Sequence, residues 1–110
     1  MTHFVHPATE DITLAGVLGG LSDPMRLKIL KKLLERRDVG LSCSSAAPCP
    51  EMAKSTLSHH FRILRDAGLI RTTKQGVENL NRVRWDDLNA RFPGLLSTIM
   101  KFQRRQRSIG

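Results

Sequence analysis

Apolar residues recur at helical spacing in the first third of the chain. From Asp11 to Leu21 they fall on more than one side, which predicts a short helix covered on two faces. Ser22-Asp23-Pro24 is typical of a helix start, because Ser or Asp caps the first turn and Pro fits its opening position. The helix that follows should end between Arg37 and Gly40, and its apolar stripe comprises Leu27, Leu30, Leu33 and Leu34.

The strongest helical pattern covers Lys54 to Ala67. Its apolar face is formed by Leu57, Phe61 and Leu64. Gly68 follows at a position where a left-handed residue commonly ends a helix. A separate face collects polar side chains at i, i+3, i+4 and i+7, namely Ser55, Ser58, His59 and Arg62. The preceding segment, residues 40–53, contains three serines, two prolines and both cysteines, and it predicts at most a short helix.

Alternation and β-favouring residues replace helical spacing after Gly68. Residues 69–74 and 79–85 predict two strands, with Gly76 in the turn between them. This hairpin is basic, with Arg71, Lys74, Arg82 and Arg84. A last helix should open at Trp85 and break near Arg91–Phe92 because of Pro93. Beyond the break lies a second apolar surface formed by Leu95, Leu96, Ile99, Met100 and Phe102.

Length and charge narrow the class of protein. The chain has 110 residues, enough for one domain with a modest core, and a net charge of +8. A small basic domain favours a polyanionic partner, nucleic acid before an anionic membrane. We predict a flexible arm at residues 1–10, the domain at 11–104 and a basic tail at 105–110.

Several other classes are disfavoured by what the chain contains. Two cysteines are too few for a disulfide scaffold and suggest a reducing compartment. We see neither a membrane-spanning stretch nor a signal peptide, and we expect a cytoplasmic protein. The four histidines fall into an arm pair and a helix pair, and Gly19-Gly20 lacks the spacing of a phosphate loop. We therefore predict no enzyme activity and no cofactor.

The order of these elements is that of a winged helix-turn-helix. We expect a mostly α (α+β) fold in which two helices and a basic hairpin follow one another. A helix fits the major groove of DNA, where short polar side chains reach base edges and phosphates. A basic hairpin can contact the flanking backbone.

Three segments resemble the ArsR/SmtB family of bacterial repressors. SDPMRLKILKKL (22–33) is similar to that family's second helix, and KSTLSHHFRILRDAGLI (54–70) is similar to its recognition helix. The Gly76 turn with NRVRWDDL (81–88) resembles the wing and the entry to the last helix. The resemblance spans residues 11–100. It implies a homodimeric repressor whose first and last helices form the dimer interface.

The chain departs from the family's metal-sensing members. Cys43 and Cys49 are six residues apart with Pro48 between them, which differs from the Cys-x-Cys form in those members. Residues 86–107 contain neither His nor Cys, so the metal site that other members carry on the last helix is missing. The regulatory ligand therefore does not follow from the resemblance.

We predict nine DNA contacts on two elements. On the recognition helix they are Lys54, Ser55, Thr56, Ser58, His59 and Arg62, and on the hairpin they are Arg71, Lys74 and Arg82. The alternatives are a solvated helix face and edge-strand charges that prevent aggregation. Because one face of a strand points away from the DNA, we expect about half of the hairpin cations to touch phosphate. His60 lies at the margin of the apolar face, where it either packs in the core or adds a polar contact.

The cysteines and the arm histidines allow three interpretations. Cys43 and Cys49 are either unremarkable thiols, a redox pair that closes as a disulfide, or two ligands of a soft metal. A metal would need further ligands, and His3 and His6 are the evident ones. The inducer thus stays open between a metal, an oxidant or reactive species, and a small molecule.

The leading hypothesis is a transcriptional repressor that binds a palindromic operator as a homodimer and is released by an inducing signal. The alternative is a winged-helix adaptor that binds a protein or an anionic surface. For the dimer we expect buried interface or core positions at Ile12, Leu14, Val17, Leu18, Leu95, Leu96, Ile99 and Phe102.

Overall fold

The computed structural model describes residues 4–106, which form five helices and one three-stranded sheet. The helices are α1 (Leu14–Gly20), α2 (Pro24–Glu35), α3 (Lys54–Asp66), α4 (Trp85–Arg91) and α5 (Leu95–Gln106). The strands are β1 (Leu41–Ser42), β2 (Ile70–Gln75) and β3 (Glu78–Val83). A turn of 3-10 helix at Thr9–Asp11 precedes α1. The predicted mostly α fold with a β-hairpin is confirmed.

Capping side chains explain where the first two helices begin. The Thr13 hydroxyl accepts a hydrogen bond from the Gly16 N–H at 3.0 Å, so α1 starts at Leu14 rather than at Asp11 as expected from the pattern. Asp23 caps α2 by accepting from the N–H groups of Met25 and Arg26 at 2.7 and 3.3 Å. Burial raises the pKa of the Asp23 carboxyl, but these hydrogen bonds and the nearby charges of Arg26 and His60 outweigh it and leave the pKa lowered.

The sheet has one strand more than the predicted hairpin. Its order is β1-β3-β2 and both pairings are antiparallel. Within the hairpin Ile70 pairs with Val83 and Gln75 with Glu78. The extra strand lies in the segment for which the pattern predicted no strand, and it pairs Leu41 with Asn81. Two residues are too short to show a period, so only the pairing with β3 reveals this strand.

The core lies between the helices and one face of the sheet. Each of the five helices and both hairpin strands contribute buried side chains, including Val17, Ile29, Leu30, Leu33, Phe61, Leu64, Ile70, Val83, Leu88 and Leu96. Gly68 ends α3 with φ +83°, as the sequence predicted, and a Cβ there would meet Ile12 Cγ1 at 2.5 Å. The close approach locks the end of α3 against the chain that leads into α1.

The last two helices meet at the predicted break. α4 ends at Arg91, and α5 begins at Leu95 after Pro93 and Gly94, whose φ is +82°. Residues 105 and 106, which we assigned to a basic tail, continue the backbone of α5. The remainder of that tail lies outside the described residues. None of the helices described is both long and apolar enough to cross a bilayer.

The N-terminal arm makes specific contacts from Phe4 onward. His6 Nε2 accepts a hydrogen bond from the Thr72 N–H at 3.0 Å, and the Pro7 carbonyl accepts one from Arg84 at 2.7 Å. The Arg65 guanidinium lies 4.6 Å from the centre of the Phe4 ring. Residues 4–10 are therefore attached to the sheet and to α3, in contrast to the loose arm that we expected from their composition. His3 lies outside the described residues.

Candidate nucleic-acid interface

The recognition helix α3 presents all six of its predicted contact residues to solvent. Lys54, Ser55, Thr56, Ser58, His59 and Arg62 are exposed. The opposite face is buried through Leu57, His60, Phe61 and Leu64. The helix is therefore anchored along one side and leaves a polar side free for a partner.

The start of α3 is open to an anion. Its cap residue, Ala53, offers no side-chain acceptor to the N–H groups of the first turn. These groups carry the positive end of the helix dipole, and the exposed Lys54 adds a full charge beside them. Such a helix start is suited to a phosphate of the DNA backbone.

Two neighbouring residues on the exposed face lie within hydrogen-bonding distance of each other. Arg62 Nη2 lies 3.4 Å from His59 Nδ1, one turn earlier on the helix. The guanidinium can only donate, so the imidazole nitrogen that faces it accepts. This leaves His59 with a polar edge toward solvent at the centre of the exposed face.

His60 belongs to the packed interior, which decides between its two interpretations. It is 7% exposed, and its Nδ1 lies 3.2 Å from Arg26 Nη1. Arg26 also donates from Nε to the Gly20 carbonyl at 2.6 Å. The pair therefore joins α3 to α2 and to the end of α1, and it orients the recognition helix on the domain.

A groove of about 330 Å³ runs between the start of α3 and the tip of the hairpin. Lys54 and Ser58 line it from α3, and Glu78 and Asn79 line it from β3. Leu57 of α3, Ser42 of β1 and the next two residues, Cys43 and Ser44, complete the lining. Sequence reasoning missed the polar groups of Ser42, Ser44 and Asn79, because their positions become neighbours of α3 only after β1 has paired with β3.

The three predicted hairpin contacts lie on two different faces of the sheet. Lys74 pairs with Asn79 and lies on the face that turns Ile70 and Thr72 into the core. Arg71 pairs with Arg82, and both point to the other face because side chains alternate along a strand. Lys74 thus lies on the same face of the hairpin as Asn79, which lines the groove, and Arg71 and Arg82 lie on the other face.

Arg84 has a structural role. It is 5% exposed, and its Nε donates to Asp87 Oδ2 at 2.9 Å. The same hydrogen bond is the main reason why the pKa of the Asp87 carboxyl is lowered. Our expectation that Arg84 belongs to the basic surface of the hairpin is wrong, since its charge is used inside the protein.

Both cysteines are free thiols and half-buried. Cys43 Sγ lies 3.4 Å from the side-chain nitrogen of Asn81. Asn81 is fully buried, donates to the Leu41 carbonyl at 3.1 Å, and accepts from the Thr72 hydroxyl at 2.7 Å. Cys43 therefore touches a buried polar network that crosses all three strands.

His6 uses its Nε2 atom in a hydrogen bond within the protein. Burial, reinforced by the charges of Arg71, Arg84 and Arg65, lowers its pKa and favours the neutral ring that accepts from Thr72. Within the described part of the chain, no three His, Cys, Asp or Glu side chains are grouped as for a metal. The hypothetical His3/His6 site includes His3, about which the structure gives no information.

Together these features define a winged helix-turn-helix. α2 and α3 are linked through Arg26 and His60, and the β2–β3 hairpin flanks the exposed face of α3. A profile described as a helix-turn-helix domain matches residues 21–73.

The comparisons with known proteins then give the family. An HTH-type transcriptional regulator of Bacillus subtilis (strain 168), YceK, is 33% identical over 91 residues, which cover 83% of this chain and 90% of YceK. An ArsR-like transcriptional regulator from Rhodococcus sp. RHA1 is 29% identical, with a TM-score of 0.60 over 87% of this chain and 88% of that one. A further ArsR family transcriptional regulator is 26% identical, with a TM-score of 0.62 over 86% and 96%. This chain belongs to the ArsR-like winged helix-turn-helix transcriptional regulators, and it is not an enzyme.

Proposed function

We propose that the protein is a cytoplasmic repressor that binds a palindromic operator as a homodimer and leaves it when an inducing signal arrives. The observation that carries this proposal is the exposed polar face of α3, whose open start lies beside the groove at the hairpin tip. Ser58 and His59 lie on the part of that face suited to base edges in the major groove. Lys54 at the start of α3 and Lys74 near the tip of the hairpin are the cations that we assign to phosphates.

Exposed apolar side chains support the dimer. Leu14 and Leu18 of α1 are 48% and 49% exposed, and Phe102 of α5 is 55% exposed. Ile12, Val17 and Leu96 from the same predicted set already lie in the core of one chain. A second copy that covers the exposed ones would also repeat the recognition helix, and a palindromic operator offers two matching half-sites for such a pair.

DNA-binding measurements on the DNA upstream of the protein's own gene test the proposal. If a dimer neutralises on the order of six to ten phosphates, the slope of log K against log salt should be about −5 to −9. A slope near zero, or equal affinity for this DNA and random DNA, would favour the adaptor alternative instead.

Variants separate base contacts from phosphate contacts. Ser58→Ala and His59→Ala should each cost about 1–3 kcal/mol of operator binding and leave random DNA nearly unaffected. Lys74→Ala should weaken the binding of both DNAs alike and reduce the steepness of the salt dependence by about one for each phosphate that is no longer neutralised. Arg71→Ala is the matched control, because it removes a charge from the same strand on the opposite face. Weaker operator binding by that control would contradict the proposed surface.

A further inference from the structure

The face of the sheet that points away from α3 forms one wall of an open cavity of about 640 Å³. Arg71, Thr73 and Arg82 line it from β2 and β3. The chain that follows α2 contributes Arg37 and Asp38, and the end of β3 with the start of α4 contributes the rest, Val83, Arg84, Trp85, Asp86 and Asp87. Nothing in the proposed DNA interface uses these residues.

A second, more apolar cavity adjoins the first. It has a volume of about 340 Å³ and lies between α2 and α5, with Leu34, Leu96 and Met100 among its lining residues. Lys31, Glu35, Ser97 and Lys101 line its edge. Arg37 and Trp85 line both cavities, and the Arg37 guanidinium lies 4.5 Å from the centre of the Trp85 ring. The first, polar cavity, which we call the polar basin, and the second, apolar cavity thus meet at this pair.

The charges in the polar basin are arranged for an anion. Arg71 and Arg82 are directly opposite each other across the antiparallel strands, an arrangement that is destabilising without a compensating negative charge. Among ion pairs within the described residues, Arg84 pairs with Asp87, and neither Arg71 nor Arg82 has a carboxylate within 4.0 Å. Arg82 donates to the Val39 carbonyl, at 3.4 Å.

The lining of the polar basin carries a small excess of positive charge. Four arginines and three aspartates line the basin, so the lining carries one more positive than negative charge. A ligand with a second negative group would gain less from this lining, because three aspartates share it with the arginines. The basin therefore complements a monoanion, and paired guanidinium groups suit a carboxylate.

We propose that these two cavities together bind a small organic acid with one carboxylate and an apolar body. The carboxylate accepts hydrogen bonds from Arg71 and Arg82, and the apolar part lies along Trp85 toward Leu34, Leu96 and Met100. The joint volume of the two cavities lies within the range of small-molecule sites, which is roughly 300–1,000 Å³. The site is separate from the DNA-binding face and does not depend on the proposed operator.

The fluorescence of Trp85 can report ligand binding, because Trp85 is the only tryptophan of the chain. Octanoate is the probe, and octanamide is its uncharged match. We expect a saturable change in the tryptophan fluorescence of the DNA-free protein with octanoate, and at least about tenfold weaker binding of octanamide because a charge-assisted hydrogen bond is lost. Acetate, which keeps the carboxylate and lacks the apolar body, should also bind at least about tenfold more weakly.

Paired variants locate the site. The double variant Arg71→Gln and Arg82→Gln should weaken octanoate binding by at least about tenfold. Arg62→Gln removes a charge from the exposed face of α3 and should bind octanoate as the wild type does. All three positions are exposed, so the variants should fold, which their circular dichroism and melting temperature would verify.

Three results would overturn the proposal: no saturable response to octanoate, equal binding of octanoate and octanamide, or unchanged octanoate binding in the double variant. If the double variant keeps octanoate binding and loses affinity for DNA, Arg71 and Arg82 belong to the DNA interface instead. Because octanoate binding is measured without DNA, its failure would leave the proposed repressor function standing.

Discussion

At the scale of single residues, the adjacent histidines of α3 show how one position along a helix separates two roles. His59 is exposed, whereas His60 is buried and bonded to Arg26. Both are aromatic, polar and close to the predicted DNA surface, so residue type alone does not distinguish them. The difference arises because Arg26 of α2 lies opposite only one of the two.

We predict that His60→Ala destabilises the protein and that His59→Ala does not. The first change removes a buried side chain and one hydrogen-bond partner of the half-buried Arg26 guanidinium, which should lower the free energy of unfolding by about 1–3 kcal/mol. The second removes an exposed side chain and should stay within about 0.5 kcal/mol. Urea denaturation of both variants makes the comparison, and equal losses would contradict the structural role of His60.

His6 should make stability depend on pH. Its pKa is lowered from the ordinary value of 6.5, so the unfolded chain takes up a proton at a higher pH than the folded one does. The free energy of unfolding should therefore fall as the pH drops from about 6.5 toward the lower pKa of the folded state, and His6 should contribute no pH dependence above that range.

His6→Gln is the matching variant, because its side-chain oxygen still offers Thr72 an acceptor and does not titrate. Between about pH 8 and about pH 5, the wild type should lose more stability than this variant in urea denaturation. Equal losses of unfolding free energy in the two proteins would show that His6 takes up a proton as readily in the folded protein as in the unfolded chain.

At the scale of elements, two glycines with positive φ have different surroundings. Gly68 ends α3 and is in close contact with a neighbouring side chain, whereas Gly76 lies in the hairpin turn and has free space around it. A Cβ on Gly68 would meet Ile12 at 2.5 Å, whereas a Cβ on Gly76 would have nothing within 4 Å. Gly68→Ala should therefore cost about 2–4 kcal/mol of unfolding free energy from backbone strain and overpacking. Gly76→Ala should cost only about 1–2 kcal/mol from backbone strain. Thermal melting compares them, and similar losses would mean that Ile12 moves aside.

The loop between β1 and α3 is the element on which the redox hypothesis depends. We propose that closing a Cys43–Cys49 disulfide draws Cys43 away from Asn81 and shifts the start of α3. Treatment with hydrogen peroxide should then change the operator affinity of the wild type and leave that of Cys43→Ser unchanged. If the disulfide forms and the affinity stays the same, the loop is not coupled to the DNA surface.

At the scale of the whole molecule, we expect the exposed apolar residues of α1 to require a second copy. The wild type should sediment at twice the chain mass of 12.4 kDa. Leu18→Glu places a charge in the proposed interface and should shift the protein toward the monomer. Val77→Glu is the control, because Val77 is 95% exposed at the hairpin turn. A monomeric wild type at micromolar concentration would contradict the dimer.

The sequence by itself determined the features that depend on neighbours in the chain. The helix start at Ser22-Asp23-Pro24, the apolar face of α3, the left-handed Gly68 and the break at Pro93 all depend on residues a few positions apart. In α2 the predicted stripe was only partly right, because Ile29 is fully buried whereas Leu27 and Leu34 are half-buried. The exposed face of α3 was predictable for the same reason, since helical spacing alone places its residues together.

Only the tertiary structure decided the features that join distant parts of the chain. Arg84 is buried because the Pro7 carbonyl, 77 residues earlier, accepts its hydrogen bond. β1 exists because Asn81 holds Leu41, and only the packed core decides which face of the hairpin is turned inward and which face carries Arg71 and Arg82. Such pairings leave no periodic trace in the sequence, because each depends on which distant groups the packed core brings within hydrogen-bonding distance.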